Sequence, residues 1–344
     1  MQAALLTEFQ QPIQITDVAE PVLPKDGVVI KVLACGVCRS DHHAWQGVDP
    51  DVTLPHIPGH EFSGEVVEVG ADVRRFKVGD RVIAPFILAC GHCVHCDAGE
   101  STACSTQDVI GFTLPGAFAE FIAVTRADFN LAHLPESISP TVGASLGCRM
   151  PTAYRALVDR ATLRADEWLC IVGTGGVGLS ALLIAKALNA KVIAVDISDK
   201  ALEFAMSLGA DHGLRADDPD LQTKIKTLTG GGADVAIDAL GKQSTMLCAL
   251  ASLSTLGRYV QVGMPAGKST VLPMPMDQIY AKQLSLHGTR GMPAHRYPSL
   301  LSLIESSQMR PERLVTKTIG LDKINDALQA FDQNLGFGVS VVVF

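Results

Sequence analysis

Leu169-Cys-Ile-Val-Gly173-Thr-Gly175-Gly-Val-Gly178 is a short apolar run that stops on a cluster of glycines. Its aliphatic and β-branched residues predict a strand buried on both faces over Trp168–Val172. Each glycine of the spaced pattern has its own task. Gly173 permits a tight turn, Gly175 lets main chain approach a diphosphate, and Gly178 lets the following helix pack closely on the strand. That helix is expected over Gly176–Asn189. Its first N–H groups, from Gly176 and Val177, meet the phosphates with the positive end of the helix dipole. The next strand, Lys191–Val195, is closed by Asp196, about 20 residues beyond the turn. A carboxylate there accepts hydrogen bonds from the ribose hydroxyls of NAD and repels the 2′-phosphate of NADP. Lys200, in the helix that follows, is a further candidate contact to the adenosine ribose. A glycine pattern alone is weak, but here strand, turn, helix and acidic residue occur in the required order.

The same alternation continues outward. A helix over Asp199–Leu208 and strands over Asp234–Asp238 and Arg258–Val262 are separated by helical segments. This predicts an α/β domain with a doubly wound parallel sheet. Before about residue 145 the texture differs. Short β-branched runs at Val28–Ala34, Glu65–Val69, Arg81–Ala84 and Phe118–Val124 are punctuated by Gly, Pro and Asp. Beyond Arg296 the mixed pattern returns, and the chain closes on a strand-like run, Val339–Phe344. The expected organisation is a β-rich domain over residues 1–150 and 291–344, interrupted by a nucleotide-binding domain over 151–290. A chain of 344 residues has room for two such cores.

Bulk properties narrow the partners. The chain is 47% hydrophobic and carries a net charge of −8. An acidic balance disfavours nucleic acid and anionic membrane surfaces. The N-terminal residues lack a basic segment followed by a long apolar one, and the most apolar helix candidate, Val177–Ala190, is too short for a bilayer and contains Lys186. A cytoplasmic protein acting on a small molecule is expected, with neither nucleic acid nor membrane as partner.

There are nine cysteines, which a reducing compartment would keep as thiols or metal ligands. Four stand at Cys90, Cys93, Cys96 and Cys104, with two, two and seven residues between them. Four thiolates in one short loop make the closed tetrahedral shell of a structural zinc. The loop Ala89–Cys104 has no Lys or Arg, so it lacks the charge a nucleic-acid zinc module needs. It is expected to brace a lobe over residues 88–106. His92 and His95 lie inside it, but the four cysteines already fill the shell. Cys35, Cys170 and Cys248 fall in apolar runs and read as core.

A second ligand set is spread more widely. Cys38-Arg-Ser-Asp-His-His43 and Gly59-His-Glu61 are followed, about 90 residues on, by Cys148. Two thiolates and one imidazole give three protein ligands and leave a fourth position open, as a catalytic zinc requires.

In these motifs the chain resembles the zinc-containing medium-chain alcohol dehydrogenases along essentially its whole length. The carrying residues are Cys38–His43, Gly59-His-Glu-Phe-Ser-Gly64 with Gly70 and Val73 in step, the four-cysteine loop, Cys148-Arg-Met-Pro-Thr152 and the glycine turn. The resemblance implies a GroES-like catalytic domain joined to a Rossmann coenzyme domain, two zinc ions per chain and NAD. It implies Cys38, His60 and Cys148 as ligands of the catalytic zinc, the Cys₂His set known for alcohol dehydrogenases. Glu61 would stand just behind as an alternative ligand, and Asp41 would fix the tautomer of His60. Ser40 would take the alcohol proton and His43 would relay it to solvent. Arg39 would hold the diphosphate, while Thr152, Val262 and Met264 would flank the nicotinamide. His42 is expected at the surface. One departure stands out: where the family often has Gly-Arg-x-Val near its end, this chain reads Gly338-Val-Ser-Val341, so Arg39 or Arg290 must carry more of the cofactor charge.

Trp45 follows His43 by two residues, as in yeast-type members, where a Trp narrows the alcohol pocket. Small primary alcohols are then the expected substrates. A polyol or formaldehyde-handling dehydrogenase of the same fold is the alternative, against which Cys148 counts, since polyol enzymes often replace it. A non-catalytic NAD- and zinc-binding protein is the remaining one, against which Ser40, His43 and the full ligand set count. The resemblance implies a homo-oligomer, tetramer or dimer, paired through strands near Val260 and Leu284–His287.

Overall fold

The computed structural model describes residues 1–265, 270–307, 309–332 and 338–344. The chain divides into two compact units, one of Met1–Pro151, Gly291–Leu301 and Val315–Phe344, the other of Thr152–Arg290 and Ser302–Leu314. The segment Ser302–Leu314, expected with the first unit, packs with the second. There the turn Pro311–Leu314 lies on the helix Gly176–Ala187, and Arg313 Nη2 donates to the Ser207 carbonyl at 2.5 Å.

The second unit is built on a six-stranded, fully parallel sheet. Its order is His212–Arg215, Lys191–Asp196, Trp168–Val172, Ala233–Asp238, Leu253–Gln261, Ser285–Gly288. In chain order this is 3-2-1-4-5-6, so the strand order reverses beside Trp168–Val172, where doubly wound sheets bind their ligands. Leu169–Val172 and Val192–Val195 are buried throughout, which is why they read as unbroken apolar runs. The helix Gly176–Ala187 covers the first strand, with Gly178–Ala185 entirely buried. Each such Leu, Ile or Val contributes about 1.5–3 kcal/mol on burial.

The first unit is organised by the strand Val28–Val37, the longest among the described residues. The C-terminal strand Val339–Val343 pairs with it on one side, and Glu61–Val69 on the other. Val315–Ile319 extends the sheet beyond the C-terminal strand, Arg81–Ile83 and Ala132–His133 extend it beyond Glu61–Val69, and Phe121–Val124 pairs near the start of Val28–Val37. The predicted run Phe118–Val124 forms a strand only from Phe121. Before it, Phe118 and Ala119 are core residues, and the Phe118 N–H donates to the Pro58 carbonyl. The register places Gly36 opposite Glu61 and Cys35 opposite Phe62. Cys38 and His60, each just outside its strand, are thereby brought to the same end of the sheet. The helix Pro140–Ala144 packs on both strands and delivers Cys148 to the same place. Gly147 makes that approach possible: a Cβ there would lie 2.6 Å from the Glu61 Cα.

Candidate active site

Cys38, His60, Glu61 and Cys148 present one ligand atom each, all within 4.8 Å of one another. Cys38 precedes the helix Arg39–Gln46, whose first turn supplies Asp41. Asp41 is fully buried and held by main chain. Its Oδ2 accepts from the Cys38 N–H at 2.8 Å and its Oδ1 from the Gly59 N–H at 3.2 Å. The same Oδ1 lies 2.8 Å from His60 Nδ1. A carboxylate there puts the proton on Nδ1 and leaves the Nε2 lone pair free. Nε2 is buried without any hydrogen-bond partner, an unmet acceptor aimed at the two sulphurs.

Hydrogen bonding from Cys148 pulls the Cys38 thiol well below its usual range, and the same contact, with burial, pushes Cys148 well above it. Burial opposes a charge on His60, but Asp41 and Cys38 hold its pKa well above the ordinary imidazole value, so a metal at Nε2 would take the place of a proton there. Burial pushes the Glu61 carboxyl up to about 7, against the pull of Arg149. Two thiols sharing a proton beside an unpaired imidazole nitrogen are a donor set suited to a borderline divalent ion such as zinc.

The four-cysteine loop meets an independent geometric test. Sulphurs placed 2.3 Å from a tetrahedral centre stand about 3.8 Å apart. Here Cys90 and Cys96 are 3.9 Å apart, Cys93 and Cys96 3.5 Å, and Cys93 and Cys104 3.8 Å. The main-chain N–H groups of Cys96 and Ser105 pull the Cys93 thiol down to about 5. His92 and His95 are exposed, and His92 Nδ1 lies 2.9 Å from its own loop's Cys90 carbonyl.

In the second unit the glycine turn has the form that its spacing predicts. Gly173 has a φ of +98°, and a Cβ at Gly178 would lie 2.0 Å from the Gly173 carbonyl oxygen. Gly175, by contrast, faces open space. The helix beginning at Gly176 has no side-chain cap, so its first N–H groups are free for an anion. Asp196 closes the second strand and receives three protein donors. Its Oδ2 accepts from the Thr174 N–H and hydroxyl at 2.8 and 2.9 Å, its Oδ1 from the Ser198 N–H at 3.0 Å. A carboxylate offers about four lone-pair sites, so one remains on Oδ1 for a ribose hydroxyl. Donor geometry and open turn together fit a dinucleotide.

Two family models match the chain, the alcohol dehydrogenase GroES-like domain over residues 24–136 and the zinc-binding dehydrogenase over residues 176–306. An alcohol dehydrogenase of Geobacillus stearothermophilus is 34% identical over 97% of this chain and 96% of its own. The NAD-dependent alcohol dehydrogenase of Sulfolobus acidocaldarius is 32% identical over 99% of both chains. The solved alcohol dehydrogenase TADH from Thermus sp. ATN1 superposes with a TM-score of 0.91 at 29% identity, covering 100% of this chain and 99% of that one. The chain belongs to the zinc-binding alcohol dehydrogenase family.

In this dehydrogenase the helix Arg39–Gln46 sorts its side chains by helical spacing. Asp41, His42, Ala44 and Trp45 face inward, while Ser40 and His43 are half-buried. Ser40 Oγ is 3.8 Å from Cys38 Sγ. His43 Nδ1 is buried without a partner, and burial lowers its pKa. One expectation is corrected here. His42 is not at the surface: it is 3% exposed, packs against Trp45 and Phe331, and its Nε2 lies 2.9 Å from Asp332. Trp45 packs in the main core of the first unit, and its indole N–H donates to the Gln11 carbonyl at 2.7 Å. The rings that face His60 are Phe86 and Phe112, with centroids 5.8 and 5.3 Å away, packed with Cys148 in one apolar cluster. No metal-ligand spacing marks either phenylalanine, although Phe86 lies four residues before the first cysteine of the loop.

The remaining residues stand as follows. Arg39 is exposed, with its guanidinium 5.2 Å from the centre of the Phe331 ring. Thr152 is buried with an unpartnered hydroxyl, a polar atom in need of a ligand. Val262 donates its N–H to the Asp238 carbonyl at 3.1 Å, Met264 is 44% exposed, and Lys200 is exposed. Arg149, to which no sequence motif assigns a role, is buried and forms a two-pronged ion pair with Glu61.

Proposed function

We propose that this chain catalyses the reversible oxidation of a small alcohol to an aldehyde or ketone with NAD, using zinc at Cys38, His60 and Cys148. The observation that carries it is the buried, partnerless Nε2 of His60 beside the sulphurs of Cys38 and Cys148. Bound there, zinc supplies a Lewis acid toward the alcohol oxygen, and NAD supplies the hydride acceptor. The chain's own residues do the rest. Asp41 fixes the His60 ring. Ser40, next to the Cys38 sulphur, receives the alcohol proton, and His43 releases it, its lowered pKa favouring the neutral base at neutral pH. Phe86 and Phe112 give the site an apolar wall, which favours simple alcohols over polyols. The glycine turn and the N–H groups of Gly176 and Val177 receive the diphosphate, and Thr152, Val262 and Met264 the nicotinamide. Arg39 and Lys200 are placed on the cofactor as auxiliary cations. Cys90, Cys93, Cys96 and Cys104 hold a second, structural zinc.

Purified enzyme is expected to contain two zinc ions per chain and to form NADH from small primary alcohols faster than from polyols. One ion per chain, or no NADH from any alcohol in a screen of primary, secondary, aromatic and polyol compounds, would sink the assignment. We place the assembly as a homo-oligomer pairing through the edge strand Ser285–Gly288, where Leu286 is 40% exposed. Sedimentation of the same preparation as a monomer would remove that part. No described helix is long and apolar enough to cross a membrane.

Asp196 gives a sharper test of cofactor choice. Asp196→Gly removes the ribose acceptor and frees the Thr174 end of the glycine turn. Charge-assisted hydrogen bonds of this kind contribute about 1.5–3 kcal/mol each, so NAD affinity is expected to fall roughly ten- to a hundredfold. NADP is expected to lose little, because the repulsion of its 2′-phosphate goes with the carboxylate. Titrations with both cofactors check it; an unaltered preference would mean that another residue reads the ribose.

A further inference from the structure

We propose that Arg149 is a positioning residue: it locks Glu61 out of the metal shell, so that Cys38, His60 and Cys148 hold zinc with one position open. This rests on the zinc reading above and asks what keeps the site open. Glu61 is fully buried, and a carboxylate oxygen lies within 4.8 Å of the other three ligand atoms. Nothing in its distance prevents it from becoming a fourth ligand and closing the place an alcohol needs. Its pairing does. Oε1 accepts from Arg149 Nε at 2.9 Å and from the Arg149 main-chain N–H at 3.2 Å, while Oε2 accepts from Nη2. Both oxygens are thus turned toward one residue. The third guanidinium nitrogen, Nη1, donates to the Val37 carbonyl at 3.2 Å, which ties the fork to the strand leading into Cys38. The backbone is cut back to seat the pair: a Cβ at Gly36 would lie 2.5 Å from Glu61 Oε2 and 2.8 Å from Arg149 Nη2. A planar fork matches a carboxylate on two points, which an ammonium cannot do. Without it, a buried carboxylate would be left with the metal as the nearest cation.

The test is the visible absorption of cobalt(II)-exchanged enzyme, because these bands report the number and geometry of ligands. The four-cysteine site contributes equally to every variant and subtracts. Wild type and Glu61→Gln are expected to give the same intense tetrahedral bands, since Glu61 is not a resting ligand. Arg149→Met is expected to weaken and shift them severalfold, and the double variant Arg149→Met/Glu61→Gln to restore them, because an amide has no charge to seek the metal. Wild-type bands in Arg149→Met, altered bands in Glu61→Gln alone, or failure of the double variant to recover would each overturn the proposal. Where Arg149→Met does not fold, the Glu61→Gln spectrum alone decides. Fewer than two metal ions per wild-type chain would instead overturn the zinc reading.

Discussion

Cys38→Ser is expected to abolish alcohol-dependent NADH formation while the protein stays folded and still binds NADH. Cys38 is 6% exposed, and its sulphur lies within 4.8 Å of the ligand atoms of His60 and Cys148. A serine hydroxyl does not ionise in this pH range and cannot replace a thiolate donor. Two good ligands then remain, with Glu61 held by Arg149. Lewis-acid assistance accounts for several kcal/mol of transition-state stabilisation, so its loss corresponds to about a thousandfold or more in rate. The structural consequences are small by comparison, because oxygen for sulphur changes little volume and Asp41 still bonds the residue 38 N–H. NADH titration followed by fluorescence checks the coenzyme unit, and metal analysis should fall from two ions to one. Turnover within about tenfold of wild type would end the assignment of this cluster as the catalytic metal site, given how much such a ligand contributes.

How much of this was legible in the sequence depends on what kind of constraint each residue obeys. Short-range constraints were readable. The strand Trp168–Val172 and the turn after it are dictated by local backbone requirements, and the structure has both where the glycines place them. The four cysteines and the Cys38–His43 stretch are likewise local. Boundaries slipped where tertiary contacts decide them, as at Phe118–Ala119, and at Leu253, where the strand expected from Arg258 begins early through a bulge. The burial of His42 follows from helical periodicity, which spacing from His43 does not express. Residues 41, 42 and 45 form one inward stripe, and that pattern was available. Arg149 and Phe86 were missed for a different reason. An Arg beside a ligand cysteine has no spacing rule, and its meaning appears only when the register sets Gly36 opposite Glu61 and leaves space for the ion pair.

Cys96→Ser should act in the opposite way, costing stability before chemistry. The loop has only a small apolar core of its own. Its buried cluster consists of Ala89, Cys96 and Cys104, with Cys90, Cys93 and Phe129 packed against it. Its regular structure is one four-residue helix, Val94–Asp97, a single 3₁₀ turn, Ser101–Ala103, and the two-residue strands Ile87–Leu88 and Asp108–Val109. Segments this short do not persist by local propensity. The metal therefore serves as the core of the lobe, and structural zinc binding of this type is worth about 10–16 kcal/mol in small zinc peptides. Much of that is shared with ordering the loop, so the expected result is a Tm lowered by many degrees and a fall in soluble yield, with kcat per remaining folded, zinc-loaded molecule close to wild type. Phe129 packs against the Gly91 end of the loop and the Asn130 side chain bonds the Ala89 main chain in both directions, so the disruption should reach the turn Ala127–Asn130 first. Hydrogen exchange would show it there and not in Trp168–Val172. A variant with unchanged melting but lost turnover would reverse the roles of the two metal sites, making the four-cysteine loop part of the chemistry and not the support of its lobe.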